Sequence, residues 1–126
     1  MPTMIRARSL CRRFGDATAV AGFDVAIERG EIFGLVGPDG AGKTTIMRML
    51  AGVLLPSEGE AQVAGCDVVR EPERVKERIA YMSQRFGLYP DLSVTENIRF
   101  YADLYGVPRA DMHSRIEELL AFTGLA

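Results

Sequence analysis

The sequence predicts an α/β fold, and three observations carry that reading. The chain has 126 residues, 48% hydrophobic and 25% charged, close to globular averages and long enough for one core. The run Ile32-Phe33-Gly34-Leu35-Val36 is apolar at nearly every position instead of alternating, the pattern of a central parallel strand covered on both faces. Directly after it, a glycine-rich turn over 37–42 opens into KTTIMRMLAGV, where Ile46, Met49 and Leu50 recur at helical spacing and Gly52 can end the helix.

The remaining elements follow from local signals. Ile5 to Leu10 and Val20 to Ile27 read as strands, the second alternating at Phe23, Val25 and Ile27, with turns at Gly15-Asp16 and Arg29-Gly30 and the buried-type strand at Glu31 to Val36. After the helix, Pro56 to Gly59 reads as a turn and Glu60 to Val63 as a short antiparallel strand, since no crossover helix precedes it. Pro72 suits the start of a helix reaching about Glu77. IAYMS at 79–83 reads as another strand, ending at Gln84. Ser93-Val94-Thr95-Glu96 has the form of a capping box, opening a helix from about Val94 to Tyr105 that Gly106 and Pro108 stop. A last helix, about Ala110 to Phe122, carries Ile116, Leu119 and Leu120 on one side. No internal repeat and no low-complexity segment interrupts this order.

Composition narrows the function classes. Fifteen Lys and Arg against 17 Asp and Glu leave a net charge of -2, so general attraction to nucleic acid is not expected. The opening residues carry arginines at 6, 8, 12 and 13 but no apolar signal stretch, and no run approaches the length of a membrane span. Those arginines read as a solvated strand face. Cys11 and Cys66 have no partners at metal or disulfide spacing and read as buried thiols. His113, alone on the last helix, reads as a surface residue.

The chemistry concentrates at Gly37-Pro38-Asp39-Gly40-Ala41-Gly42-Lys43-Thr44-Thr45, which satisfies G-x-x-x-x-G-K-[ST] between a strand and a helix. Phosphates need donors converging on a small volume, and backbone amides supply them where glycines let the chain curl. Gly37, Gly40 and Gly42 permit the curl around Ala41. Lys43 can reach the β- and γ-phosphates, Thr44 can coordinate Mg²⁺, and Thr45 can add an α-phosphate hydrogen bond. Asp39, a carboxylate within the loop, must turn away from a triphosphate. A dinucleotide-binding fingerprint would need G-x-G-x-x-G spacing, which this loop lacks.

With these motifs in place the chain resembles the N-terminal part of an ATP-binding cassette domain, the nucleotide-binding domain of ABC transporters, over essentially its whole length. GPDGAGKTT at 37–45 matches the Walker A motif, and FDVAIERGEIFGLVG is similar to the segment approaching it. YMSQ at 81–84 resembles the strand entering the Q-loop, and LYPDLSVTENIRFYADLYG at 88–106 the start of the helical subdomain of bacterial export ATPases. The resemblance implies a phosphate-loop NTPase core of ABC type, with an antiparallel N-terminal β portion. Residues 1–87 would form part of that core with the Q-loop, and 88–126 the start of the helical subdomain.

The resemblance also assigns roles. Phe14 matches the aromatic A-loop position stacking on adenine, where the family more often has tyrosine. Gln84 matches the glutamine that approaches Mg²⁺ and the attacking water, so Lys43 and Gln84 are the catalytic candidates and Thr44 and Gln84 the metal candidates. Phe86, Gly87, Leu88 and Tyr89 would face a transmembrane partner. A Walker B strand ending in Asp-Glu, an LSGGQ-type signature and a switch histidine are not in the sequence: none of the aspartates at 16, 24, 39, 67, 91, 103 and 111 follows an apolar run and precedes Glu. The expectation is therefore a domain interrupted before those motifs, binding MgATP with negligible turnover.

For the complete protein the resemblance implies an ATPase subunit coupling ATP binding and hydrolysis to transport, with export favoured. Its partners would be transmembrane permease subunits and a second cassette arranged head to tail, at the cytoplasmic face of a bacterial cell membrane. A soluble ABC-type ATPase acting on ribosomes or DNA, and a non-hydrolysing nucleotide-binding module, are the alternatives.

Overall fold

The computed structural model describes residues 3–83 and 87–125. It divides into two compact units, Met1–Tyr81 and Met82–Ala126. The first unit is built on a four-stranded sheet of order β2-β1-β3-β4. Its strands are β1 (Thr3–Phe14), β2 (Ala17–Glu28), β3 (Glu58–Val63) and β4 (Cys66–Asp67), with helices α1 (Lys43–Leu50) and α2 (Pro72–Arg78). Every strand pairing is antiparallel. Ala7 and Leu10 of β1, Val20 of β2, Ala61 and Val63 of β3, Ile46 and Met49 of α1 and Val75 of α2 form one buried cluster.

The β1–β2 hairpin is tight at its tip, pairing Phe14 with Ala17, and irregular in its middle, where the register shifts between Ala7 and Leu10. Ser9 there has a positive φ of 49°. Its displaced amide donates to the Asp24 carboxylate at 2.9 Å, which keeps the bulge from leaving an unpaired donor. On the other edge Gly59 accommodates the same bulge, because a Cβ there would collide with the Ser9 carbonyl oxygen.

Helix α1 ends as its sequence suggests. The Val53 amide donates to the Arg48 carbonyl at 3.1 Å and the Gly52 amide to Met49 at 3.2 Å, the paired bonds of a Schellman motif. Pro72 occupies the first turn of α2.

The expectation of a central parallel strand at Glu31 to Val36 is corrected. That segment belongs to no strand among the described residues, and Ile32 and Val36 are 99% and 92% exposed, though Leu35 packs on the core. A doubly covered strand needs a ladder partner on each edge, and the antiparallel sheet closes its own pairings without reaching this run. IAYMS at 79–83 departs in the same way: Ile79 packs on the core, Met82 is 96% exposed, and neither pairs in a sheet. The brief strand β4 was not anticipated. Cys66 is buried as expected, whereas Cys11 is only half-buried.

The second unit holds α3 (Val94–Leu104) and α4 (Arg109–Thr123). The Ser93 hydroxyl accepts from the Glu96 amide at 3.1 Å, while the Ser93 amide donates to the Glu96 carboxylate at 2.9 Å. This is the capping box read from the sequence. At the other end the Val107 amide donates to Ala102 at 2.9 Å and the Gly106 amide to Asp103 at 3.2 Å, so Gly106 stops the helix as expected. Ile116 of α4 is buried, Leu119 is half-exposed, and His113 is exposed, 3.1 Å from the Glu117 carboxylate.

Candidate functional site

The loop at 37–42 is held by its own chain and by β2. Gly42 is the N-cap of α1 in a left-handed conformation, φ 92° and ψ 9°. A Cβ at this position would run into the Ala19 carbonyl oxygen and come within 3.2 Å of Val20 Cγ2. The glycine is thus required twice, by its dihedrals and by its seat on β2. That seat also fixes where the loop lies. Ala19 is two residues along β2 from Ala17, the partner of Phe14, or about 7 Å at roughly 3.3 Å per residue. The phosphate loop and the aromatic tip of the hairpin therefore share one end of the sheet.

Inside the loop, the Lys43 ammonium donates to the carbonyl oxygens of Gly37 and, at 2.8 Å, Pro38. The Ala41 amide donates to the same Pro38 carbonyl at 3.2 Å. The chain is curled around its own positive charge. The first amides of a helix have no intrahelical acceptor, and here no side chain caps them and no acidic residue occupies the first turn. Amide donors, the helix dipole and Lys43 therefore act in the same sense, toward an anion. Thr44 is exposed and Thr45 half-buried at the helix start, and Asp39 is exposed on the loop's turn.

Phe14 is 47% exposed, leaving ring surface for a partner. Arg12 departs from the solvated face expected of it: it is half-buried, its Nη1 donates to the Leu55 carbonyl at 2.6 Å, and its guanidinium carbon lies 4.5 Å from the Phe14 ring centroid. Arg13 pairs instead with Glu58 at 3.0 Å, and Arg6 and Arg8 are exposed. Gln84, the predicted partner of Mg²⁺ and water, lies outside the described residues, as does Phe86. Gly87, Leu88 and Tyr89 belong to the second unit, where Leu88 and Tyr89 are about half-exposed.

Sequence reasoning passed over Asn97. It is buried in α3, where its carboxamide oxygen accepts from the Tyr89 amide at 2.9 Å. Its Nδ2 donates to the carbonyls of Tyr89, Leu92 and Ser93 at 3.1, 3.2 and 3.0 Å. A polar residue one position after a capping-box glutamate was the only signal available. Tyr101 adds a hydrogen bond to the Gly87 carbonyl, and Tyr89 meets Phe100 edge-on at 4.9 Å between centroids.

The donor set fits a magnesium–nucleotide. The loop offers amides and one cation to phosphates, and Thr44 one hydroxyl to a metal that takes most of its remaining ligands from phosphate and water. Among the described residues no cluster of three or more His, Cys, Asp and Glu could hold a metal by itself.

Fold and loop together define a phosphate-loop protein of the α/β class. The family model described as ABC transporter matches residues 20–126, and the chain belongs to that family. It is 39% identical over 123 residues to the Escherichia coli (strain K12) protein described as "Probable multidrug ABC transporter ATP-binding protein YbhF", covering 98% of this chain and 21% of that protein. It is 40% identical over 126 residues to the Pseudomonas aeruginosa (strain UCBPP-PA14) spermidine/putrescine import ATP-binding protein PotA, covering 34% of that protein. A solved structure of an ATP-binding subunit of an ABC transporter superposes with a TM-score of 0.86 at 27% identity, covering 98% of this chain and 51% of the other. The chain thus spans between a fifth and a half of the length of these relatives.

Proposed function

We propose that this chain is the MgATP-binding portion of the ATPase subunit of an ABC transporter. The observation that carries the reading is the seat of Gly42 on Ala19 and Val20, which sets the cationic loop beside the hairpin tip bearing Phe14. In this reading the amides of Gly37, Gly40, Ala41 and Gly42, with that of Asp39, wrap the β- and γ-phosphates, and the Asp39 carboxylate stays in solvent. Lys43 exchanges its loop carbonyls for phosphate oxygens, Thr44 ligates Mg²⁺, and Thr45 reaches the α-phosphate. Phe14 stacks on the base with little selectivity among bases. Gln84 orients water and senses the metal; a neutral amide cannot serve as the general base.

Bound MgATP supplies the phosphoanhydride whose γ-phosphoryl group passes to water. Toward that transfer these residues contribute positioning and charge, the larger part of phosphoryl-transfer catalysis. No aspartate in the sequence both follows an apolar run and precedes a glutamate, the pair that would supply a water-activating base, and in this reading the chain binds MgATP with negligible turnover. In the whole protein a second cassette completes each site head to tail, and 86–89 contact a transmembrane permease at the cytoplasmic face of the membrane. Export is the direction favoured by the resemblance of 88–106 to bacterial export ATPases, although PotA, described as an import protein, is as similar to this chain as YbhF is.

ATP titrations with and without Mg²⁺, on the parent and Thr44→Ala, test the assignment. The parent binds more tightly with Mg²⁺ and the variant loses that dependence. Parent binding indifferent to Mg²⁺, or Lys43-dependent phosphate release above background, contradicts the reading.

A further inference from the structure

Arg12 is held unlike a solvated strand arginine. It lies two residues before Phe14 on β1, so both side chains project from the same face of the strand. Its guanidinium carbon sits 4.5 Å from the centre of the Phe14 ring. One end of the fork is tied to the Leu55 carbonyl at 2.6 Å, in the segment that leaves the phosphate-loop helix. Its Nε is buried with no hydrogen-bond acceptor among the described residues. A buried N–H without an acceptor is unfavourable, and the π-face of Phe14 is the neighbour that can offset the loss. Arg12 thus has one anchor on the backbone and one on the ring.

That arrangement has a directional consequence. A half-exposed phenylalanine at a hairpin tip would otherwise sample several rotamers, and stacking a base on it would first require ordering the ring. A cation fixed over one face removes much of that freedom in advance. It also draws π-density toward itself, which eases approach of an electron-rich purine to the opposite face.

We propose that Arg12 is a positioning residue of the nucleotide site, whose guanidinium backs one face of Phe14 and presents the other to the base. The proposal rests on the reading of Phe14 as the base platform. Arg12 contacts no phosphate in this scheme, and its effect passes through the ring.

The test is a double-mutant cycle on the 126-residue chain. It uses the parent, Arg12→Gln, Phe14→Ala and the double variant, each titrated with MgATP and with magnesium tripolyphosphate, which has phosphates but no base. Arg12→Gln keeps a donor for Leu55 and loses the cation. It weakens ATP binding about three- to fivefold, the worth of an exposed cation–π contact, and leaves tripolyphosphate binding unchanged. In the Phe14→Ala background it has no further effect, and Arg12→Lys restores most of the lost affinity.

Equal weakening toward both ligands, or an unchanged effect without Phe14, overturns the proposal and makes Arg12 a structural tie to Leu55. If Phe14→Ala weakens ATP binding while Arg12→Gln does not, the proposal alone fails. If Phe14→Ala leaves ATP binding intact, or a folded parent binds neither ligand, the base-platform reading fails and takes the proposal with it.

Discussion

Replacing Gly42 with alanine separates the two reasons for a glycine at the head of α1. The residue sits at φ 92°, where an alanine loses about 1–2 kcal/mol to the clash of its Cβ with the backbone. The same Cβ would meet the Ala19 carbonyl oxygen and Val20 Cγ2, and Val20 is buried in the core, so the strand has little room to retreat. Overpacking of this kind costs about 1–3 kcal/mol more. The total is about 2–5 kcal/mol, paid either in stability or by lifting the loop off β2.

Gly40 is the control. Its φ is 82°, yet a Cβ there meets nothing within 4 Å, so Gly40→Ala costs only the conformational part, about 1–2 kcal/mol. Urea unfolding and ATP titration on both variants read the two outlets for the collision. Gly42→Ala shows the larger combined loss, by about 1–3 kcal/mol. If it matches Gly40→Ala in both measurements, the seat on β2 does not hold the loop beside Phe14.

Two further predictions concern the second unit. Hydrogen bonds from the Ser93 amide and then its hydroxyl hold the Glu96 carboxyl below the ordinary carboxylate range. A depressed carboxyl contributes stability that is complete above the ordinary glutamate range and lost as pH falls through its own lower value. The protection of the first-turn amides of α3, corrected for the intrinsic pH dependence of exchange, therefore falls as the solution is acidified, Glu96→Gln flattens that dependence, and Ser93→Ala loosens the turn by about 1 kcal/mol at neutral pH. Asn97→Ala strips partners from the Tyr89 amide and from the carbonyls of Tyr89, Leu92 and Ser93. It lowers unfolding stability by about 1–3 kcal/mol, followed by tyrosine fluorescence in urea; a change within 0.5 kcal/mol, about the scatter of ordinary surface substitutions, contradicts the role given to that carboxamide.

What the sequence made legible is what neighbouring residues decide among themselves. The capping box at Ser93 and Glu96, the stops at Gly52 and Gly106, and the loop–helix order around Lys43 are each closed within a few residues. The runs at 31–36 and 79–83 were misread because a buried strand is defined by its ladder partners, which apolar composition does not supply. Arg12 and Asn97 were undervalued for a related reason. A charged residue on a strand and an asparagine in a helix read as solvated until Phe14, Leu55 and the 89–93 turn are folded against them. At the candidate site, the loop could be read from the residues and Phe14 only from the family resemblance, while their sharing of one sheet end could not, since it depends on Gly42 meeting β2 far away in the chain.

Nucleotide binding by the loop is tested most directly by calorimetric titration of the chain and its Lys43→Ala variant with ATP and Mg²⁺, with circular dichroism of the same samples to establish that both are folded. Saturable binding by the parent and none by the folded variant is the expected result. Equal binding by the two, or no binding by a folded parent, rules out a phosphate site built on Lys43.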